Sequence, residues 1–206
     1  MKFLLFCEGK TEAVALSAFL KRWLDERLPQ PVGITPIRFE GWNELYDDVK
    51  KKAHLRLRDG DVIAVISLLD LYGPTFYPVG LEGVDGRYEW ARKHMEGRVD
   101  HPRFRQFFAV HEVEAWLLSD PGLFPREIEN GLPGRIQKPE TVNFDEPPAK
   151  LLERLYREKK KQKYKKVTEG KALFRRLSPE IARNKCPRLA EMLDEMLSLA
   201  RNAHGA

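Results

Sequence analysis

The sequence predicts an α/β fold: a mostly parallel sheet flanked by helices, continued by a helical C-terminal part. Three observations carry this. The stretch Val62-Ile63-Ala64-Val65-Ile66-Ser67-Leu68-Leu69 is apolar but for one serine, as a strand covered on both faces must be. The opening Lys2 to Cys7 is a second short apolar run, followed by Gly9 and then by apolar residues at helical spacing. Strand-like and helix-like segments then alternate along the first half of the chain, the order that builds a parallel sheet.

Taken in order, Lys2 to Cys7 reads as a buried strand. Thr11 can cap a helix whose apolar face is Val14, Leu16, Phe19, Leu20 and Trp23, and Pro29 and Pro31 stop it. Gly33 to Phe39 is a looser strand, and Asn43 to Arg58 a polar helix. Asp59-Gly60-Asp61 turns the chain into the strand ending at Leu69. A Gly- and Pro-rich loop from Gly73 to Gly86 leads to a helix over Arg87 to Gly97, then to a strand over Arg103 to His111. Ala115 to Leu118 begins a helix that Asp120-Pro121 ends. Residues 121–146 carry little regular pattern and read as loops. From Pro147 onward the chain reads as helical, with breaks near Gly170, Pro179 and Pro187. The expected organisation is an α/β core over 1–146 and a basic helical extension over 147–206 packed on it.

The 206 residues are 42% hydrophobic and 33% charged, enough to bury a core and stay soluble, and unlike a disordered chain. No apolar run approaches the roughly 20 residues of a membrane span. Glu8 interrupts the N-terminal apolar run too early for a signal peptide, which places the chain in the cytoplasm by default. Two distant cysteines, Cys7 and Cys186, form neither a disulfide framework nor a zinc motif. The net charge of +5 is uneven. Residues 1–140 hold twenty Lys/Arg against twenty-two Asp/Glu, whereas residues 141–206 hold sixteen against nine. An acidic portion that suits a cation thus precedes a tail that suits an anion.

Two familiar motifs fail. Gly9-Lys10-Thr11 ends like a phosphate-binding P-loop, but the required earlier glycine is Leu4. His111-Glu112 begins like a zinc-protease HExxH, but its second histidine is Ala115. What remains is a placement. Glu8, Asp70 and the pair Glu112/Glu114 each fall at or just beyond the carboxyl end of a predicted strand, where parallel sheets carry their active groups. Glu8 and Asp70 close buried strands, where a carboxylate is costly unless used. Glu12 lies in the first turn of a helix, where the dipole favours it with or without a site. Tyr72 is expected to pack or hydrogen-bond, and His111 to be a satisfied strand-end histidine.

The series Cys7-Glu8-Gly9-Lys10-Thr11-Glu12, Asp70-Leu71-Tyr72-Gly73 and His111-Glu112-Val113-Glu114-Ala115-Trp116-Leu117 continues with Pro147-Pro148-Ala149-Lys150, Tyr164-Lys165 and Cys186-Pro187. Together these closely resemble domain-of-unknown-function family 4276, placed among Toprim-like folds and related to overcoming-lysogenization-type nucleases. The resemblance implies a Toprim-like sheet holding Mg²⁺ on a glutamate after the first strand and a DxD pair after a later one. Glu8 matches the glutamate and Asp70 the first aspartate. Tyr72 stands where the second aspartate is expected, and Glu114 is the implied substitute.

Carboxylates about 5 Å apart repel by roughly 3 kcal/mol per pair at an effective dielectric near 20, so such a cluster calls for a cation or a proton. Oxygen ligands with no cysteine among them suit Mg²⁺ or Mn²⁺. The expected metal ligands are Glu8, Asp70, Glu112 and Glu114. Glu8, Asp70 and Glu114 are the expected catalytic groups, with Lys150 stabilising developing charge. The basic run from Arg157 to Lys166 reads as a helix face, and its Lys159, Lys160, Lys161, Lys163, Lys165 and Lys166 are the candidate nucleic-acid contacts. The expected function is a metal-dependent nucleic-acid phosphodiesterase, in phage defence or repair, with an ATPase partner. The alternative, favoured by Tyr72, is a non-catalytic partner of an ATPase that binds DNA or RNA without cleaving it.

Overall fold

The computed structural model describes residues 1–10, 12–134, 139–141 and 146–205. Its centre is a sheet of four strands, β1 (Lys2–Cys7), β2 (Gly33–Arg38), β3 (Val62–Asp70) and β4 (Phe104–Ala109), in the order β2-β1-β3-β4. Every pairing is parallel. The α/β class expected from the sequence is therefore the observed one.

Alternation along the strands decides which side chain faces which layer. In β1, Phe3 and Leu5 enter one core and Leu4 and Phe6 the other. In β4, Phe107 and Ala109 join the first core, Phe104 and Phe108 the second. Both faces are thus apolar, as the unbroken hydrophobic runs required. The edge strand β2 is mostly exposed and carries Pro36. Such a residue offers no N–H to an incoming strand and blunts the open edge.

The helices α2 (Trp42–Arg56) and α3 (Val84–Val99) cover the second face through Leu45, Val49, Tyr88, Ala91 and Met95. The first face is covered by α1 (Ser17–Asp25) and by helices from the C-terminal part of the chain. Because β2 and β4 lie on opposite sides of the β1–β3 pair, the connections diverge between β1 and β3. That is the topological switch point of the sheet, the crevice where open α/β sheets bind ligands.

The short α4 (Glu114–Leu117) follows β4. Residues 121–134 are less irregular than the sequence suggested. They hold a 3₁₀ turn, Pro121–Leu123, and α5 (Arg126–Glu129), with Leu123 and Ile128 buried in the first core. Residues 135–138 and 142–145 of the expected loop lie outside the described residues.

The C-terminal helices are α6 (Pro148–Lys160), α7 (Lys166–Arg176), α8 (Pro179–Lys185) and α9 (Pro187–Gly205). Leu152, Phe174, Leu189, Leu193 and Met196 share one core with Leu5 and Ile66 of the sheet. Trp23 of α1 donates its indole N–H to the Leu193 carbonyl at 3.1 Å.

Two expectations are corrected. Pro179 and Pro187 do begin new helices, but Gly170 breaks none: it is buried inside α7. Packing there outweighs the propensity cost of about 1 kcal/mol that a helical glycine carries. The basic run is also not one helix face. It spans the end of α6, a turn in which Lys161 takes a left-handed φ of 56°, and the start of α7.

Candidate acidic site at the strand ends

Parallel pairing brings Glu8 and Asp70 together. Cys7 sits opposite Leu68, so Glu8 leaves β1 beside the end of β3. The Asp70 backbone N–H donates to Glu8 Oε1 at 3.3 Å. The backbone N–H of Trp42, at the start of α2, also faces the Glu8 carboxylate and favours its charge. Burial pushes Glu8 up from the usual carboxylate range; the two amides and Lys166 oppose this, and Glu12 adds to it. Gly73 closes over the pair: a Cβ there would lie 3.9 Å from both Asp70 Cβ and Glu8 Oε1.

Glu12 joins them through an irregularity in the chain. The expected helix starts as a π-turn, Glu12–Leu16, before it becomes α1. The expected cap, Thr11, lies outside the described residues. Such wide turns recur at functional sites because they re-aim a side chain. Glu12 is only 6% exposed, and its Oε2 has no hydrogen-bond partner among the described residues. Gly9 makes room for it, since a Cβ at Gly9 would collide with the Glu12 carboxylate. Burial raises Asp70 well above its ordinary value, and the charges of Glu12 and Glu8 raise it further.

After β4 the chain kinks at His111, whose φ of 66° lies in the left-handed region, a strained placement for a non-glycine residue. Glu112 and Glu114 follow. Glu114 is wholly buried, and among the described residues its carboxylate meets only the Lys166 ammonium. Burial pushes its pKa up to about 7, with Lys166 opposing and Glu112 and Glu12 adding. Lys166, the first residue of α7, brings the cation. Its Nζ donates to Glu112 Oε2 at 3.0 Å and lies 3.2 Å from Glu114 Oε2 without the alignment of a hydrogen bond. Burial disfavours the ammonium, yet the charges of Glu114, Glu112 and Asp70 more than offset it and hold its pKa high.

The structure thus gathers Glu8, Asp70, Glu112 and Glu114 at one end of the sheet. It also brings in Glu12, which helix geometry alone left undecided, and Lys166, which the sequence placed in the basic run. The signal for Lys166 was slight. Tyr164, two residues earlier, is apolar enough to be buried, so this end of the run had to turn inward. Lys150 is elsewhere: its side chain is exposed and pairs with Glu153 one turn along α6. Lys159, Lys161, Lys163 and Lys165 are exposed, and Lys160 is half-buried.

Among the described residues, no three acidic, histidine or cysteine side chains are placed so that they could hold a metal ion together as they stand. The donor set still suits a hard divalent cation. It is all carboxylate oxygen, and among the described residues Glu12 Oε2 and Glu114 Oε1 are buried without a donor. Orphaned buried carboxylate oxygens are rare and need a reason.

No curated protein matches the chain. Among solved structures, the C-terminal region of the Burkholderia pseudomallei OLD protein is similar at 16% identity and a TM-score of 0.45, covering 95% of this chain and 98% of that one. The C-terminal region of the Xanthomonas campestris pv. campestris OLD protein, phased with mercury, is similar at 19% identity and a TM-score of 0.45, covering 98% of each. The model of the family described as Domain of unknown function (DUF4276) matches residues 7–197, and the chain belongs to that family.

Proposed function

We propose that this member of the family is a Toprim-like, metal-dependent phosphodiesterase acting on nucleic acid. The observation that carries the reading is the group of buried carboxylates at the switch point of the sheet, two of whose oxygens, Glu12 Oε2 and Glu114 Oε1, have no donor among the described residues. Folding alone gives no return for that arrangement, because each such oxygen costs roughly 1–3 kcal/mol.

Glu8, Glu12, Asp70 and Glu114 are the residues to hold a divalent Mg²⁺ or Mn²⁺ ion. When bound, such an ion supplies charge neutralisation and polarises a phosphate oxygen. The chain does the rest. The Asp70 amide holds Glu8 and the Trp42 amide faces it, and the raised pKa of Glu8 suits a group that accepts a proton from water. Lys166 holds Glu112 and Glu114 in place and stands beside the pocket as a fixed positive charge for a phosphate. Phage defence or repair with an ATPase partner, the setting expected from the sequence, is retained as part of the proposal.

One observation favours a second reading, a non-catalytic partner protein. Tyr72, where a second aspartate was expected, turns outward and stacks on His111, so one ligand of the usual set is missing. The experiment that separates the readings is cleavage of single- and double-stranded DNA and RNA with Mg²⁺ or Mn²⁺. The enzyme reading expects metal-dependent cleavage that Asp70→Ala abolishes while binding persists. Absence of cleavage under every divalent metal, with an operon-encoded ATPase present, supports the partner protein instead.

A further inference from the structure

Aromatic rings cluster on the loop that follows Asp70 and at the start of α2. Trp42, whose amide faces Glu8, lies 5.9 Å from Phe76 centre to centre, and Phe76 lies 5.1 Å from Tyr77. Tyr77 donates its hydroxyl to the Leu71 carbonyl, tying this loop to the residue after Asp70. The Arg87 guanidinium then sits 5.3 Å from the Tyr77 ring and 5.5 Å from the Tyr72 ring. Trp42, Phe76 and Tyr77 are half-buried and pack on the second core, so each has an ordinary structural role.

Tyr72 has none. It is 46% exposed and belongs to neither core. One ring face is stacked on His111 at 5.3 Å and 18°. His111 is itself held in a left-handed backbone conformation, φ 66°, immediately before Glu112. A flat, largely exposed ring two residues from Asp70, with a cationic guanidinium over it at 5.5 Å, is poor packing and a good stacking surface.

Resting on the phosphodiesterase reading, we infer that Tyr72, backed by His111 and flanked by Arg87, is a stacking platform for an unpaired base, making single-stranded nucleic acid the substrate class of the acidic site. Three features select that occupant. A ring face stacks on any base, and so tolerates sequence, but a base inside a duplex has both faces already covered. Arg87 complements the adjoining phosphate backbone and can itself stack. The platform lies two residues along the chain from Asp70, so a base seated on it delivers its neighbouring phosphate to the carboxylates. The position where a ligand aspartate was expected thereby holds a substrate-positioning residue.

The test is fluorescence anisotropy without divalent metal, using labelled single strands of about 12 nucleotides, DNA and RNA of one sequence, and the matching duplexes. The wild type is expected to prefer a single strand. Tyr72→Ala is expected to weaken that binding about tenfold, with duplex binding unchanged, and Tyr72→Trp to restore it. An unaltered thermal melt of Tyr72→Ala, expected for so exposed a side chain, shows that the fold is kept. Equal binding by wild type and Tyr72→Ala, a preference for duplex, or no binding to any strand overturns the platform. Tyr72-dependent binding with no cleavage under Mg²⁺ or Mn²⁺ keeps the platform and sinks the phosphodiesterase. Cleavage with Tyr72-independent binding does the reverse.

Discussion

Two buried glutamates near Trp116 have been raised to the same range for the same first reason, yet their surroundings differ completely. Burial pushes both Glu114 and Glu140 up to about 7. Glu140 accepts from the Trp116 indole N–H at 3.0 Å, from the Arg188 amide at 2.6 Å and from the Leu189 amide at 3.3 Å. It pins the start of α9 to the tryptophan of α4 and leaves neither oxygen idle. Glu114, two residues before that tryptophan, has among the described residues only the Lys166 ammonium, 3.2 Å from its Oε2. A carboxylate that the fold uses looks like Glu140. One that the fold merely tolerates looks like Glu114, and its reason lies outside stability.

The contrast breaks most sharply on substitution. Glu140→Ala strands three buried N–H donors, and a loss of about 3–5 kcal/mol in urea unfolding is expected. Glu114→Gln stands in for the protonated form and leaves Lys166 paired with Glu112. At pH 8 it is expected to be more stable than wild type, by up to about 3 kcal/mol, while metal-dependent cleavage is lost. Comparable destabilisation by both substitutions, measured side by side, would erase the distinction.

Acid–base behaviour sharpens the comparison. A carboxylate whose folded pKa is raised holds its proton longer when folded than when unfolded. Stability is then greatest at low pH and falls as pH rises from about 4.5 to about 7. Each of the two glutamates contributes up to about 3 kcal/mol to that fall, and Asp70 acts in the same direction. Glu114→Gln is expected to make the decline between pH 5 and pH 8 visibly shallower. An unchanged slope in a pH series of urea melts means that Glu114 already ionises freely.

The smallest expected effect lies on the basic turn. Lys159 and Lys161 are exposed, unlike Lys166, which is committed to Glu112 and Glu114. Replacing both with alanine is expected to reduce the salt dependence of nucleic-acid binding by up to about one unit per lost phosphate contact. A salt titration that does not change returns them to ordinary solvated surface.

Much of this was legible in the sequence, for physical reasons that can be named. The runs over Phe3–Cys7 and Val62–Leu69 are almost wholly apolar because both faces of β1 and β3 are covered. Carboxylates directly after such runs could only emerge at one end of a parallel sheet, so Glu8 and Asp70 stood out. The pair Glu112 and Lys166 did not, being 54 residues apart and joined only once α7 has docked. Glu12 was ambiguous because a first-turn glutamate suits any helix; the π-turn that aims it inward has no local sequence signature. Glu140 sat in a stretch without periodicity, and its role is visible only from its three donors.

The central claim is that the orphaned oxygens of the strand-end pocket belong to a divalent cation, and isothermal titration of the metal-free protein with Mn²⁺ tests it most directly. The account predicts saturable binding that weakens at least about tenfold in Asp70→Ala and in Glu114→Gln, with Lys159→Ala unaffected. No saturable binding to the wild type, or binding indifferent to both pocket substitutions, would contradict it.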